Sequence, residues 1–290
     1  SGGTAYIDDF EGSTANLPLA NPSNSWVIAS TPQGDDVLFP EASASLDSAF
    51  LLARNANRAG MSWFIADPSA RDAVDGANPY TRLIQFQDIF PNRQLTPLEQ
   101  SNLRSFDVTI FPRERGPYNF ELPDGYDAGN LSKGFTSAGK LNLPESRWAG
   151  IMRGLNTNDF EAANIEFVEF WMLNPYMDKA DDPGNVSKDG TMYIDLGTLS
   201  EDIMRDSRQF FENAIPTGQG TGTTAATPWG RVPVLPPVVN AFDNDPAKRV
   251  LQDVGLDGLD DQGEKNFFQD WVNSINNSTL SGTAKTELTN

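Results

Sequence analysis

Two glutamates stand inside the densest apolar run of the chain, where ionised side chains are rare. The run is DFEAANIEFVEFWMLNP, residues 159–175, and it contains Glu166 and Glu169. Glycosidases use two carboxylates that face one cleft. On a strand, residues three apart point to opposite faces, so we expect these two glutamates not to act on one bond. On a helix the same spacing would bring them together, and Pro175 could end such a helix, so that alternative stays open.

A carboxylate buried in a strand needs a cation or several hydrogen bonds, because its desolvation is costly. Arg147 and Arg153 lie on one face of RWAGIMR, residues 147–153, if that segment is also a strand. These arginines are the expected partners of Glu166 and Glu169, and a bound calcium ion is the alternative. The pattern favours structural carboxylates and predicts no catalytic residue.

A second acidic cluster lies near the carboxyl end of the chain. The segment QDVGLDGLDDQGE, residues 252–264, offers Asp253, Asp257, Asp260 and Glu264 as oxygen ligands separated by glycines. Calcium prefers ligands of this kind. The run does not match the EF-hand spacing, and a solvated acidic turn or a helix cap explains it equally. A structural calcium ion is the one cofactor that the sequence indicates.

A third candidate is the segment PRERGPYNF, residues 112–120, which places Arg113 and Arg115 near Tyr118. Arginine and tyrosine are enriched at the energetic centres of protein interfaces, so these three residues form a candidate docking patch. The alternative is a strand end whose arginines pair with the abundant acids.

Composition narrows the classes of function. The chain of 290 residues has 40 acidic and 21 basic side chains, a formal charge of −19, and neither histidine nor cysteine. This charge argues against a nucleic-acid partner, which needs a basic surface. The missing residue types exclude Ser-His-Asp and Cys-His sites, disulfides and ordinary zinc sites. No apolar run reaches the roughly 18 residues of a membrane helix, so we expect the chain not to span a membrane.

Short strands are expected to carry these residues. Aromatic and β-branched runs, bounded by Gly, Pro and Asn, recur over the first three quarters of the sequence. The pattern predicts a mostly β fold, a jelly roll or β-sandwich with insertions and a small helical carboxyl-terminal segment. The predicted strands lie at residues 5–12, 25–30, 61–66, 82–90, 105–112, 147–155, 164–173 and 192–197.

Four regions follow from this reading. Residues 1–213 form the sandwich, with a large insertion around 55–145, and residues 214–240 form a linker rich in Pro, Gly and Thr. Residues 241–275 form an acidic helical segment, in which Pro246 takes a favoured first-turn position. Residues 276–290 are predicted to be a mobile tail.

Five stretches carry a resemblance to a known family, in the order in which they occur there. The chain resembles the SprA/Sov family of giant outer-membrane proteins of Bacteroidetes-type bacteria. The stretches are YIDDFEGS (6–13), FPRERGPYNF (111–120), LPESRWAGIMRGLNTNDFEAANIEFVEFWMLNP (143–175), LGTLSEDIMRD (196–206) and WGRVPVLPPVVNAFDNDPAKRVLQDVGLDGLDD (229–261).

The resemblance implies a function that no motif here could show. Members of the family form the translocon of the type IX secretion system, a very large transmembrane β-barrel that exports folded proteins and supports gliding motility. We therefore expect this chain to be a domain outside the hydrocarbon layer with a structural or interaction role. The expected location is the outer membrane on the extracellular side, with the periplasmic side as the alternative. Expected partners are the rest of the translocon, its accessory proteins and exported cargo.

A second resemblance concerns the fold. DDFEG (8–12), Trp26 and YIDLG (193–197) are similar in order to galactose-binding jelly rolls of carbohydrate-binding modules. It implies a β-sandwich and gives the alternative function, a carbohydrate-binding module at the cell surface. Fold alone does not carry that function.

Overall fold

The computed structural model describes most of the chain. The described residues are 18–19, 25–43, 51–72, 78–92, 94–97, 101–126, 131–157, 159–163, 165, 167–176, 190–197, 199–206, 224–234, 242–252 and 255–289.

The described residues form eight strands, most of them short, and the α-helices are confined mainly to the carboxyl-terminal segment. The strands are β1 (Val27–Ile28), β2 (Ala59–Ile65), β3 (Ile84–Gln85), β4 (Asn102–Leu103), β5 (Phe106–Arg115), β6 (Ile151–Met152), β7 (Thr224–Ala226) and β8 (Arg231–Pro233). The helices are α1 (Phe86–Ile89), α2 (Pro246–Gln252), α3 (Asp261–Phe267), α4 (Gln269–Asn276) and α5 (Gly282–Thr289). The prediction of a mostly β chain with a small helical carboxyl-terminal segment is therefore confirmed.

The strands pair two by two instead of forming one large sheet. β1 pairs with β6, β2 with β5, β3 with β4 and β7 with β8. The predicted strands at 105–112 and 61–66 correspond to β5 and β2. The predicted strand at 82–90 contains only β3, because the chain turns into α1 at Phe86, where Asp88 caps the helix by accepting from the Gln85 N–H.

The chain divides into two compact units that differ from the predicted regions. Unit 1 comprises Ser1–Val27, Ser62–Thr109 and Met152–Gly197, and unit 2 comprises Ile28–Met61, Ile110–Ile151 and Thr198–Asn290. Each unit is thus assembled from separated segments. Neither the sandwich at 1–213 nor the insertion around 55–145 appears as a unit of its own.

The hydrophobic core of unit 2 centres on aromatic side chains. Phe120 stacks on Phe268 with ring centroids 4.2 Å apart and meets Trp271 edge to face at 5.6 Å. Aromatic pairs of this geometry add to the stabilisation from buried area. Around them lie the other buried apolar residues: Leu51, Ala53, Ala56, Tyr126, Leu131, Phe135, Leu141, Met204, Trp229, Ile275, Leu280, Ala284 and Leu288.

The predicted tail is part of this core. α5 buries Ala284 and Leu288, which lie one helical turn apart and pack with Trp271 and Ile275 of α4. The prediction that residues 276–290 are mobile was wrong for 276–289. Tertiary packing supplies the stability that a short helix with Gly and Thr cannot supply by itself.

The predicted linker also contains folded structure. In its described part, 224–234, β7 and β8 form an antiparallel pair in which Ala225 faces Val232. Trp229, in the turn between them, is buried and donates from Nε1 to the Met204 carbonyl at 3.0 Å. Gly258, at φ +70°, lies so close to the Arg231 backbone that a Cβ atom would collide with it. These contacts fix the hairpin in unit 2.

The acidic segment predicted at 241–275 contains three α-helices in its described part. α2 starts at Pro246, as predicted, and α3 and α4 follow through Asn276. Asp260 is the N-cap of α3 and accepts from the Gly263 N–H at 2.7 Å. A side-chain acceptor at this position satisfies one of the free N–H groups of the first turn.

Candidate functional site

The apolar run that contains the two glutamates has no strand in its described part. Residues 165 and 167–173 belong to unit 1, and no backbone hydrogen bond joins 167–173 to another described residue. The prediction of a central, covered strand at 164–173 was wrong for these residues, because a strand needs a neighbour to complete its ladder. Glu169 is exposed, and no described cation forms an ion pair with it. Glu166 lies outside the described residues.

The same segment exposes an unusual amount of apolar surface. We call residues 167–173, FVEFWML, the apolar segment. Phe167 is 77% exposed, Trp171 69% and Met172 61%. The remaining apolar members, Val168, Phe170 and Leu173, are exposed as well. Trp171 has one described aromatic neighbour, Phe90, at 6.0 Å between ring centroids. Exposed apolar patches of this kind mark interaction sites in folded proteins.

A second stretch of unit 1 behaves similarly. Residues 192–197 were predicted to be a strand, yet they have no regular secondary structure. Met192, Tyr193, Ile194 and Leu196 are about half exposed. The sequence therefore marks as strands two segments that find no pairing partner among the described residues.

Arg147 does not serve as the expected partner of Glu166 or Glu169. It follows a short 3-10 helix, Pro144–Ser146, and its Nη1 lies 2.7 Å from Glu121 Oε2 with both side chains fully buried. The guanidinium also donates to the carbonyls of Asn142, Ala56 and Gly134 and to Asn57 Oδ1. All three nitrogens are thus used, which is the condition under which a buried arginine is tolerated. Glu121 is a structural carboxylate that the sequence did not indicate.

Arg153 is likewise engaged elsewhere, within unit 1. Its Nη1 donates to the Pro18 carbonyl at 2.8 Å, and its guanidinium lies over the Trp26 ring at 5.4 Å. Trp26 in turn stacks on Phe106 at 5.4 Å. The contact is a cation–π interaction and not an ion pair with Glu169.

A second buried carboxylate joins Arg147 through Asn57. Glu41 is fully buried and accepts from Asn57 Nδ2 at 2.8 Å and from Trp148 Nε1 at 2.7 Å. Burial raises the pKa of Glu41, and the hydrogen bonds from Trp148 and Asn57 oppose that rise. Ser132 Oγ donates to Glu121 Oε1 at 2.6 Å. We give the name buried polar network of unit 2 to six residues: Glu41, Asn57, Trp148, Arg147, Glu121 and Ser132.

Arg58 borders this network without touching either carboxylate directly. Its guanidinium lies 4.6 Å from the centre of the Trp148 ring and donates to Asn55 Oδ1 and to the Ala29 carbonyl. Burial lowers the pKa of Arg58 to about 10, against the opposing effect of Glu41. The group remains charged at neutral pH. The network and Arg58 therefore hold strands and loops together instead of facing a cleft.

The expected calcium ligands have separate structural roles where they are described. Asp257 is buried, and its Oδ1 accepts from the Leu259 N–H at 3.1 Å, whereas Asp260 caps α3. Burial raises the pKa of Asp257 to about 6, and the nearby charge of Glu264 adds to the effect. Asp253 lies outside the described residues. Within the part of the chain that is described, no three acidic side chains converge as a metal site requires.

The expected docking patch is divided between surface and interior. Arg113 is exposed at the end of β5. Arg115 instead lies over Trp271 at 4.8 Å and donates to the Asn119 and Leu288 carbonyls. Burial lowers the pKa of Arg115. Tyr118, at φ 57°, accepts from the Leu256 N–H through its hydroxyl. Arg115 and Tyr118 therefore stabilise unit 2, so the three residues do not form one docking patch.

The sequence offered little signal for the buried network. Glu41 and Trp148 are 107 residues apart, and Asn57 and Arg147 are 90 apart. The one local hint is the placement of polar residues between apolar ones in NANR, residues 55–58, and in NFEL, residues 119–122. Asn119 ties these two stretches together by donating to the Ala56 and Arg58 carbonyls.

None of the described helices is both long and apolar enough to cross a bilayer.

Comparison with known proteins does not assign the chain to a family. No protein-family model matches the chain, and no curated protein matches it either.

Proposed function

We propose that this chain is a non-enzymatic interaction domain of an outer-membrane protein-secretion translocon of the type IX class. The proposal rests on one observation: the exposed apolar segment lies within a stretch that resembles the family. One of the two longest stretches of resemblance to the SprA/Sov family, residues 143–175, includes the apolar segment, which leaves Phe167 and Trp171 largely exposed. Such a surface suits a domain that works in contact with other polypeptides.

The titratable groups support binding and not turnover. Glu41 and Asp257 have the raised pKa values expected of candidate acids, but Glu41 accepts from Asn57 and Trp148, and Asp257 accepts from Leu259. Both side chains are buried, so neither carboxylate is exposed to a substrate in solvent. Their environment is that of structural carboxylates.

The finer fold and the location belong to the same proposal. We infer that the paired short strands belong to a jelly-roll-like sandwich. In it, residues 167–173 and 192–197 become strands once a partner completes their ladders. The proposed location is the extracellular side of the outer membrane, in contact with the translocon, its accessory proteins and exported cargo. The periplasmic side is the alternative location.

The proposal is tested by changing the apolar segment in the full-length translocon. Phe167, Phe170 and Trp171 are replaced together by serine, and export of a cargo protein is measured in growing cells. The matched control replaces Val250 and Leu251, which are 71% and 63% exposed on α2, by serine. We expect the first variant to lose most export and the control to retain it. Normal export by the first variant, at a normal amount of translocon, would contradict the proposal.

A carbohydrate-binding module is the second candidate, and one observation favours it. Trp171 and Tyr193 are exposed aromatic residues of unit 1, and such rings stack on sugars in binding modules. Binding to a panel of immobilised glycans, lost on replacement of Trp171 by alanine, would identify this function. Absence of any glycan binding above the level of the alanine variant would dismiss it.

A further inference from the structure

The apolar segment combines two properties that a folded protein rarely leaves together. Its six apolar residues are exposed, and its backbone has no hydrogen bond to another described residue. Several of its residue types favour strands, because Phe167, Phe170 and Trp171 are aromatic and Val168 is β-branched. An exposed segment of this composition is a template on which another extended chain can pair.

The apolar residues fall on both sides of the segment when it is extended. Phe167, Trp171 and Leu173 share one side, and Val168, Phe170 and Met172 share the other. A partner that merely covers one side would leave the opposite residues in water. A strand added along the edge reaches both sides, because its own side chains alternate in the same way.

The negative charge of the segment and of the whole chain favours a partner that carries basic residues. Glu169 is the single charged residue among 167–173, and the chain as a whole carries a formal charge of −19. The similar stretch at 192–197 has Asp195 as its single charge. A second copy of this chain would bring the same negative charge, and strong net charge opposes self-association. A strand that bears Lys or Arg would instead place a cation opposite Glu169, which is a favourable cross-strand pair.

We propose that the apolar segment is a strand-addition site for an extended segment of a partner polypeptide in which apolar residues alternate with Lys or Arg. The basic side chains of the partner lie on the side of Glu169, where one of them pairs with that carboxylate and the alkyl stems of the others lie along Phe167 and Trp171. Its apolar side chains cover the opposite side, which carries Val168, Phe170 and Met172. The inference rests on the proposed function as an interaction domain, and it adds the chemistry of the partner.

The test uses the whole chain and short synthetic peptides. The probe is a fluorescent peptide of alternating valine and lysine, and the comparison peptides carry glutamate in place of lysine or proline at alternate valines. Binding is followed by fluorescence anisotropy. We expect the lysine peptide to bind and the other two peptides to bind at least about tenfold more weakly. The glutamate peptide loses the charge pair with Glu169, and the proline peptide loses backbone hydrogen bonds because proline has no N–H donor.

A charge reversal with a matched control makes the test specific. Glu169→Lys is expected to weaken binding of the lysine peptide by about fivefold to tenfold and to strengthen binding of the glutamate peptide. Glu161→Lys makes the same charge change at an exposed residue of unit 1 outside the segment. We expect it to change either affinity by less than about twofold, because exposed charges at a distance are screened by salt.

Three results would overturn the inference. The first is equal affinity for the lysine and glutamate peptides, and the second is an equal effect of Glu169→Lys and Glu161→Lys. The third is concentration-dependent dimerisation of the chain that Trp171→Ser abolishes, since this would identify a second copy as the occupant.

The export assay distinguishes failure of the strand-addition site from failure of the proposed function. Loss of export without peptide binding would refute only the strand-addition site, and peptide binding with normal export of the triple serine variant would refute only the role in secretion.

Discussion

Replacement of Arg147 by methionine is the sharpest test of the structural account of unit 2. Arg147 and Glu121 form an ion pair at 2.7 Å with no exposed side-chain surface. After the change, Glu121 keeps the Ser132 hydroxyl and the Leu122 N–H, but no cation. Removal of one partner of a buried pair costs about 3–5 kcal/mol, because the remaining charge stays desolvated. That cost is a large share of the roughly 5–15 kcal/mol by which domains are stable.

Urea unfolding followed by tryptophan fluorescence measures this loss. Trp148, Trp229 and Trp271 lie in unit 2 and report on it. Arg113→Met is the matched control, because Arg113 is exposed, and we expect a change below about 0.5 kcal/mol. Replacing Arg147 by methionine and Glu121 by leucine together is expected to restore part of the loss, since no unpaired charge remains. A loss below about 1 kcal/mol for Arg147→Met alone would refute the reasoning.

Two further predictions concern Asp257 and α5. The pKa of Asp257 is raised from its ordinary value of 3.8 to about 6, so the folded state binds its proton more tightly than the unfolded state. Stability from this group is therefore present below pH 3.8 and is lost as the pH rises through 6, by about 2–3 kcal/mol in total. Over that window we expect the Asp257→Asn variant to become steadily more stable relative to the unchanged chain, because only the unchanged chain loses this contribution. A difference in the free energy of unfolding in urea that stays constant with pH would contradict the assignment. Leu288 is buried in the core of unit 2, so Leu288→Ala should cost about 2–5 kcal/mol. Hydrogen exchange should then show lower protection in α4, and unchanged protection would mean that α5 does not pack there.

The sequence predicted elements whose signal is local. β5 arises from aromatic and β-branched residues in SFDVTIFP, and α2 begins where Pro246 sets the first turn. α5 gave no such signal, because Gly282 and its threonines are weak helix formers and only Ala284 and Leu288 face the core. Its stability comes from α4, which no local pattern reveals.

For the candidate site residues too, local sequence patterns did not reveal contacts between distant segments. Both arginines that were expected to bind Glu166 and Glu169 are engaged, but Arg147 with Glu121 and Arg153 with Trp26. Charge and spacing indicate that a buried arginine needs a partner, but not which one, because the partner lies in a different segment of the chain. For the apolar segment, periodicity predicted a strand, whereas its residues have no regular secondary structure. Periodicity could not supply the neighbouring strand that a ladder requires.

The central claim is the proposal that this chain serves protein export through its contacts with other polypeptides. It is tested most directly by a clean in-frame deletion of residues 1–290 from the full-length translocon, with secretion of a cargo protein as the readout. The account predicts that cargo accumulates inside the cell envelope and that gliding, where it depends on exported adhesins, is lost. Export at the normal rate by cells that carry the deletion would contradict it.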